Sequence, residues 1–193
     1  MLGLKLPTDP RWADIATKNI QDILVDHAYC EQKAASSCIS MIVQFSEYTK
    51  LVEVLTPVVA EEWEHFQMVL EHLNKRGFSL GPQRKDEYVI ELRKSVQKGG
   101  SRESQLVEKL LVNALIEARS CERFKLLWQE LEDPDLKKFY HELMISEAGH
   151  YKNFIKLAKE YLPAGEVQKR WERWLQKEAQ ILLDLQVRDD RMH

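Results

Sequence analysis

Glycine and proline are scarce in this chain, 7 and 6 of 193 residues, roughly 7% together against an average near 12%. So few breakers exclude a collagen-like or loop-dominated protein. Together with abundant Leu, Glu, Lys and Ala they predict long helices. Cysteine is scarcer still. Cys30, Cys38 and Cys121 form an odd set with no C-x-x-C, which supports neither a disulfide framework nor a zinc ribbon and suits reduced thiols. No charge sign dominates either: 28 basic and 31 acidic residues give −3. A globally basic nucleic-acid binder is therefore not indicated, although that average is compatible with a local patch. Long apolar runs are missing as well. Ala34 to Ser46 is free of charge but too short to span a bilayer as a helix. The opening MLGLKLPTDPRW lacks a basic n-region followed by an apolar h-region, so no signal peptide is expected. The composition predicts a cytoplasmic protein with no membrane span.

What is present is helical periodicity nearly throughout. With 44% apolar residues the chain can build a real core, and its length fits a single domain over 1–193. Thr8-Asp9-Pro10 is a helix-start signal. It opens a short segment, Pro10 to about Lys18, leading into a helix from about Ile20 to Ser46. A second helix is expected from about Lys50 to Lys75, with Pro57 marking a kink or the true start. Between Gly77 and Ser101 breakers return, and Asp86 to Gln97 forms a short helix at most. A third helix runs from about Arg102 to Leu131. After Glu132-Asp133-Pro134 a fourth continues to about Tyr161. Pro163-Ala164-Gly165 precedes a fifth, Glu166 to about Gln186, and RDDRMH reads as a frayed tail. Short links make antiparallel hairpins of helices one and two and of helices three and four. One long crossover between two such hairpins is the ferritin-like variant of the four-helix bundle, here an all-α fold with an additional C-terminal helix.

Four glutamates interrupt the apolar stripes of those helices: Glu31, Glu62, Glu117 and Glu147. An ionised carboxylate almost never enters a core unless it is paired or bound to a metal. Two of the four carry a histidine three residues later, Glu62 with His65 and Glu147 with His150. Residues i and i+3 share a helix face, so each pair aims a carboxylate and an imidazole at one point. From Glu31 to Glu62 is 31 positions and from Glu117 to Glu147 is 30. In each hairpin both glutamates then lie ~22 Å from the turn, at 1.5 Å per residue, and return to one height. Face-to-face hairpins thus converge four glutamates and two histidines, the ligand set of a carboxylate-bridged pair of iron or manganese ions. The competing reading is a plain bundle with buried ion pairs.

Other residues fit the site less well. Glu61 and Glu64 point off the stripe and read as solvated. Glu122 follows Glu117 by five positions, which turns it away on a regular helix; only a π-bulge would bring it in. His27, one turn before Glu31, reads as a core or surface histidine, with a partner role to Glu31 as the alternative. His72, His141 and His193 have no matching partner. Cys38 and Cys121 read as small core hydrophobes, and Trp171 and Trp174 as packing.

The segments DHAYCEQKAAS, AEEWEHF, LIEARSCERF and SEAGHY, in this order and spacing, resemble the tRNA hydroxylase family of ferritin-like diiron proteins. The likeness runs from the first helix through the fifth. It implies an oxygen-dependent diiron monooxygenase that hydroxylates the isopentenyl group of 2-methylthio-N6-isopentenyladenosine beside the tRNA anticodon. Metal ligands would be Glu31, Glu62, His65, Glu117, Glu147 and His150, with Glu62 and Glu147 as bridges by analogy. It further implies dioxygen as co-substrate and two electrons from a reductase or ferredoxin-like partner. A charge pattern fits a tRNA substrate: Lys75 to Arg102 carries +5, leaving −8 on the rest of the chain. Arg84, Lys85, Arg93 and Lys94 are the candidate phosphate contacts; the alternative is a solvated connector. Two other functions remain open, a rubrerythrin-type peroxidase and iron storage. The lack of a C-x-x-C module counts against the first, and storage needs a cage-forming assembly.

Overall fold

The computed structural model describes residues 2–185; Gln186, the RDDRMH tail and His193 lie outside them. Seven helices and no strand occur among the described residues: α1 Pro10–Lys18, α2 Ile20–Gln44, α3 Thr49–Lys75, α4 Glu87–Lys94, α5 Arg102–Glu130, α6 Pro134–Tyr161 and α7 Ala164–Asp184. The starts follow from local chemistry. Asp9 accepts from Arg11 N ahead of Pro10, and Asp133 accepts from Asp135 N and Leu136 N ahead of Pro134. In both, a carboxylate satisfies early amides while proline fills a position that needs no donor. Ser101 caps α5 through Ser104 N, and Asp86 caps α4 through Val89 N.

Pro57 neither starts nor ends a helix. It lies inside α3, which begins at Thr49. Its ring removes one backbone donor, while the neighbouring Thr56 hydroxyl donates to the Val52 carbonyl at 2.7 Å.

Helices α2 and α3 form one hairpin and α5 and α6 the other, with α4 in the crossover between them. Helix α1 packs on α5 and α2, and α7 on α5, α4 and α6. Trp171 and Trp174 of α7 are buried in that packing. The bundle interior divides into two apolar halves. One contains Met41, Phe45, Leu55, Leu110 and Phe154. The other contains Leu24, Leu73, Phe124, Phe139 and Leu143. Each half draws residues from all four long helices, and the positions between them along each helix are those of the six proposed ligands. The polar side chains therefore form a seam across the middle of the bundle, where the hairpin arithmetic places them.

Candidate metal centre

Glu31 comes from α2, Glu62 and His65 from α3, Glu117 from α5, and Glu147 and His150 from α6; all six are buried. Their donor atoms fall into two overlapping groups, each within 4.8 Å: Glu31, Glu62, His65 and Glu147, and Glu62, Glu117, Glu147 and His150. Glu62 and Glu147 belong to both. Glu62 sets Oε1 2.9 Å from His150 Nδ1 and Oε2 3.6 Å from His65 Nδ1. Glu147 sets Oε2 3.3 Å from His150 Nδ1 and Oε1 3.4 Å from His65 Nδ1. Each carboxylate thus spreads its oxygens over both halves, the disposition of a bridge. Glu31 and Glu117 each serve one half.

The donor chemistry fits a pair of metal ions. Both oxygens of Glu62, Oε1 of Glu147 and Nδ1 of His65 are buried with no hydrogen-bond partner. Buried polar atoms are rarely left so, and these are lone-pair atoms facing one another. Burial and then repulsion from Glu147 push Glu62 up to about 8. Burial, Glu147 and Glu62 raise Glu117. Burial pulls His65 down, but Glu147, Glu31 and Glu62 outweigh it and push the imidazole up to about 12. His150 is raised in the same way by Glu147 and Glu62 against burial. Glu147 is lowered, because His150 and His65 outweigh its burial. The carboxylates draw protons onto the imidazoles, and a divalent ion held here would take the place of those protons. Four carboxylates and two neutral imidazoles would balance two divalent cations.

Around the six, the structure settles several sequence readings. His27 takes the partner role: fully buried, it sets Nε2 2.6 Å from Glu31 Oε1. Burial holds it down at about 3, so the neutral ring donates Nε2–H to the carboxylate. Glu61 is exposed, as its place off the stripe implies, and it also has a partner that the sequence reading did not give it. Its side chain is half exposed, yet Oε2 lies 2.7 Å from His150 Nε2. No periodicity could have found this contact, since it depends on how closely α3 and α6 approach. Glu64 is exposed as expected. Glu122 stays out of the cluster and accepts from Thr8 and Arg119. Cys38 and Cys121 are buried in the core. His72 hydrogen-bonds Arg76, and His141 lies against Trp128.

A narrow cleft reaches the cluster at Glu31, Glu117 and Glu147. Ala34, Val89 and Ile116 give it apolar wall, and Lys33, Asp86 and Arg93 give it charge. Asp86, Val89 and Arg93 come from the crossover, which therefore borders the site. Sequence reasoning missed Lys33 and Asp86, whose charges face each other at 3.6 Å; nothing in their spacing links α2 to a loop more than fifty residues away. The basic crossover is partly neutralised. Arg84 pairs with Asp22 at 2.5 Å and Lys94 with Glu91 at 2.6 Å. Lys85 is exposed. Arg93 is exposed, lines the cleft, and has no acidic partner among the described residues.

Among the described residues no helix is long and apolar enough to cross a membrane. The chain is 39% identical over 158 residues to a Pseudomonas putida protein named tRNA 2-(methylsulfanyl)-N(6)-isopentenyladenosine(37) hydroxylase, covering 82% of this chain and 76% of that one. A Salmonella typhimurium protein of the same name is 33% identical over 134 residues, 69% of this chain and 48% of that one. A solved structure, Protein 43 with aldehyde deformylating oxygenase activity from Synechococcus, superposes with a TM-score of 0.93 at 34% identity, covering 98% of this chain and 94% of that one. The family described as tRNA-(MS2IO6A)-hydroxylase, MiaE, matches residues 2–193, so the seam of carboxylates and imidazoles lies in a chain that belongs to that family.

Proposed function

We propose that this protein hydroxylates the isopentenyl group of 2-methylthio-N6-isopentenyladenosine in tRNA, using two iron ions held by Glu31, Glu62, His65, Glu117, Glu147 and His150. The observation that carries the reading is the cleft that ends on Glu31, Glu117 and Glu147 and is bordered by the crossover. Bound iron would supply reductive activation of dioxygen. One oxygen atom enters the product, and the other leaves as water with two electrons and two protons, the electrons coming from a reductase or ferredoxin-like donor. The chain's own part is to hold and place. Glu62 and Glu147, whose oxygens face both His65 and His150, would serve both ions. Ala34, Val89 and Ile116 offer a dry wall to a prenyl chain, and the charged rim suits the nucleoside and its phosphates. A tRNA substrate places the enzyme in the cytoplasm.

A second reading, aldehyde deformylation, is favoured by the Synechococcus structure. Lys33, Asp86 and Arg93 at the cleft weigh against it, because a long alkyl chain offers nothing to pair with them. Reduced, iron-loaded protein incubated with oxygen and either prenylated tRNA or a fatty aldehyde separates the two. Nucleoside mass spectrometry should show one added oxygen on the prenylated adenosine. Loss of formyl carbon from the aldehyde with no change in the tRNA would overturn the assignment.

Docking has its own signature. Arg93→Glu should weaken tRNA binding and lower the slope of log affinity against log salt by about 0.7–0.9, the share of a single neutralised phosphate. Arg84→Glu should do less directly, since Arg84 already pairs with Asp22. Filter binding between low and moderate salt measures both. An unchanged slope for Arg93→Glu would make the crossover a solvated connector.

A further inference from the structure

The two imidazoles of the cluster are held differently. His150 has a carboxylate on each side, with Nδ1 facing Glu62 and Glu147 and Nε2 2.7 Å from Glu61 Oε2. His65 Nδ1 faces Glu147, Glu31 and Glu62 at 3.4–3.6 Å. Its Nε2 has no carboxylate partner among the described residues. A carboxylate that accepts the Nε2 proton fixes the tautomer, leaves the lone pair on Nδ1, and makes that nitrogen a stronger donor. The glutamates differ in the same sense. Glu31, in the His65 half, has Oε1 engaged by the His27 ring at 2.6 Å, which draws electron density away from that carboxylate.

We propose that Glu61 makes the two metal positions unequal, so that the first divalent ion enters the Glu117–His150 half and the second the Glu31–His65 half. The inference rests on the reading of the cluster as a dinuclear site. Glu61 acts as a positioning residue, touching the imidazole and not the ion. Its side chain is 52% exposed, so replacing it removes no core packing. The same exposure makes the Glu117–His150 half the one whose grip is set from the bundle surface. The cleft meets the cluster at Glu31, Glu117 and Glu147, while neither histidine lines it.

Anaerobic titration of metal-free protein with cobalt(II), followed by calorimetry and by cobalt absorption, tests this. Wild-type protein should bind in two separable steps. Glu61→Ala should weaken the first step by about 10–100-fold, the effect typical of losing an outer partner of a metal-bound histidine, and leave the second nearly unchanged. Glu61→Gln keeps a neutral acceptor and should fall between. Glu64→Gln removes the same charge from an exposed carboxylate that touches neither imidazole, and should leave the first step in place. An unmoved first step in Glu61→Ala would overturn the inference, as would equal losses in Glu61→Gln and Glu64→Gln. Two ions bound with a single affinity would also overturn it while leaving the dinuclear reading intact. Failure of the wild type to take up two ions would remove both.

Discussion

Replacing Glu147 with alanine should strip the protein of both metal ions. Its oxygens reach toward His150 on one side and His65 on the other, so no single position survives its loss intact. Truncation also leaves His65 and His150 facing Glu62 with one counter-charge fewer. Bound iron should fall from about two per chain, the complement of a four-carboxylate, two-histidine bundle site, to well below one. Hydroxylation should fall at least about 100-fold, the upper range for losing even an outer partner of a ligand. Elemental analysis after reconstitution and nucleoside mass spectrometry measure the two effects on one sample. Glu122→Gln is the contrast: its carboxylate belongs to Thr8 and Arg119, and iron content should not change. Normal iron in Glu147→Ala, or lost iron in a folded Glu122→Gln, would redraw the ligand set.

The second large effect lies outside the metal centre. Arg119 is completely buried. It donates to Glu178 Oε1 at 2.7 and 2.9 Å, to Thr8 Oγ1 at 2.9 Å and to the Leu6 carbonyl at 2.8 Å, and it also pairs with Glu122. One guanidinium therefore ties the N-terminal segment and α7 to α5. Arg119→Met fills similar space but leaves Glu122 and Glu178 short of a counter-charge, with Arg123 the remaining buried cation. Breaking such a group from one side costs about 3–5 kcal/mol, or roughly 6–20 °C in Tm at about 2–4 °C per kcal/mol for a domain this size.

The deficit should depend on pH. Burial already raises Glu178 above the usual carboxylate range against the pull of Arg119, and loss of Arg119 raises it further. A group whose folded pKa exceeds its unfolded one binds more protons when folded. Acid then favours the fold, and the stability is lost as pH rises through the folded value. Thermal melts of metal-free protein should therefore show a smaller gap between variant and wild type at pH 5 than at pH 8. A gap that widens in acid would mean that the carboxylates are not its source.

The helices were legible because their signals are local. Asp9-Pro10 and Asp133-Pro134 carry their caps within three residues, and the stripes of α3 and α6 repeat at the helical period. The convergence of the six side chains was legible for a related reason: a hairpin converts sequence distance into height, so equal spacing in two hairpins implies one shared level. Glu61 and Lys33 were not legible in this way. Their contacts cross between elements, and no spacing rule specifies how far two helices stand apart or where a crossover lies. Pro57 left two readings open, a kink or the true start of the second helix; the helix begins at Thr49, and packing of Leu51, Leu55 and Val58 into the core outweighs the loss of one backbone hydrogen bond. The fifth long helix reads two residues late because Ala164 and Gly165 look like a break, whereas Pro163 serves as the cap.

The polar seam also bears on how this domain opens. Each apolar half contains turns from all four long helices, so neither half is a contiguous piece of chain that could persist while the other unravels. Empty of metal, the seam exchanges apolar packing for buried carboxylates and imidazoles, several of whose polar atoms have no hydrogen-bond partner. Amides around Glu31, Glu62, Glu117 and Glu147 would then exchange with solvent by local separation at mid-height, below the cost of global unfolding. A metal ion that binds only the closed form adds its binding free energy to that separation. Occupancy thereby joins two half-cores into one cooperative unit, and the resistance of mid-helix amides to exchange becomes a gauge of how fully the protein is loaded.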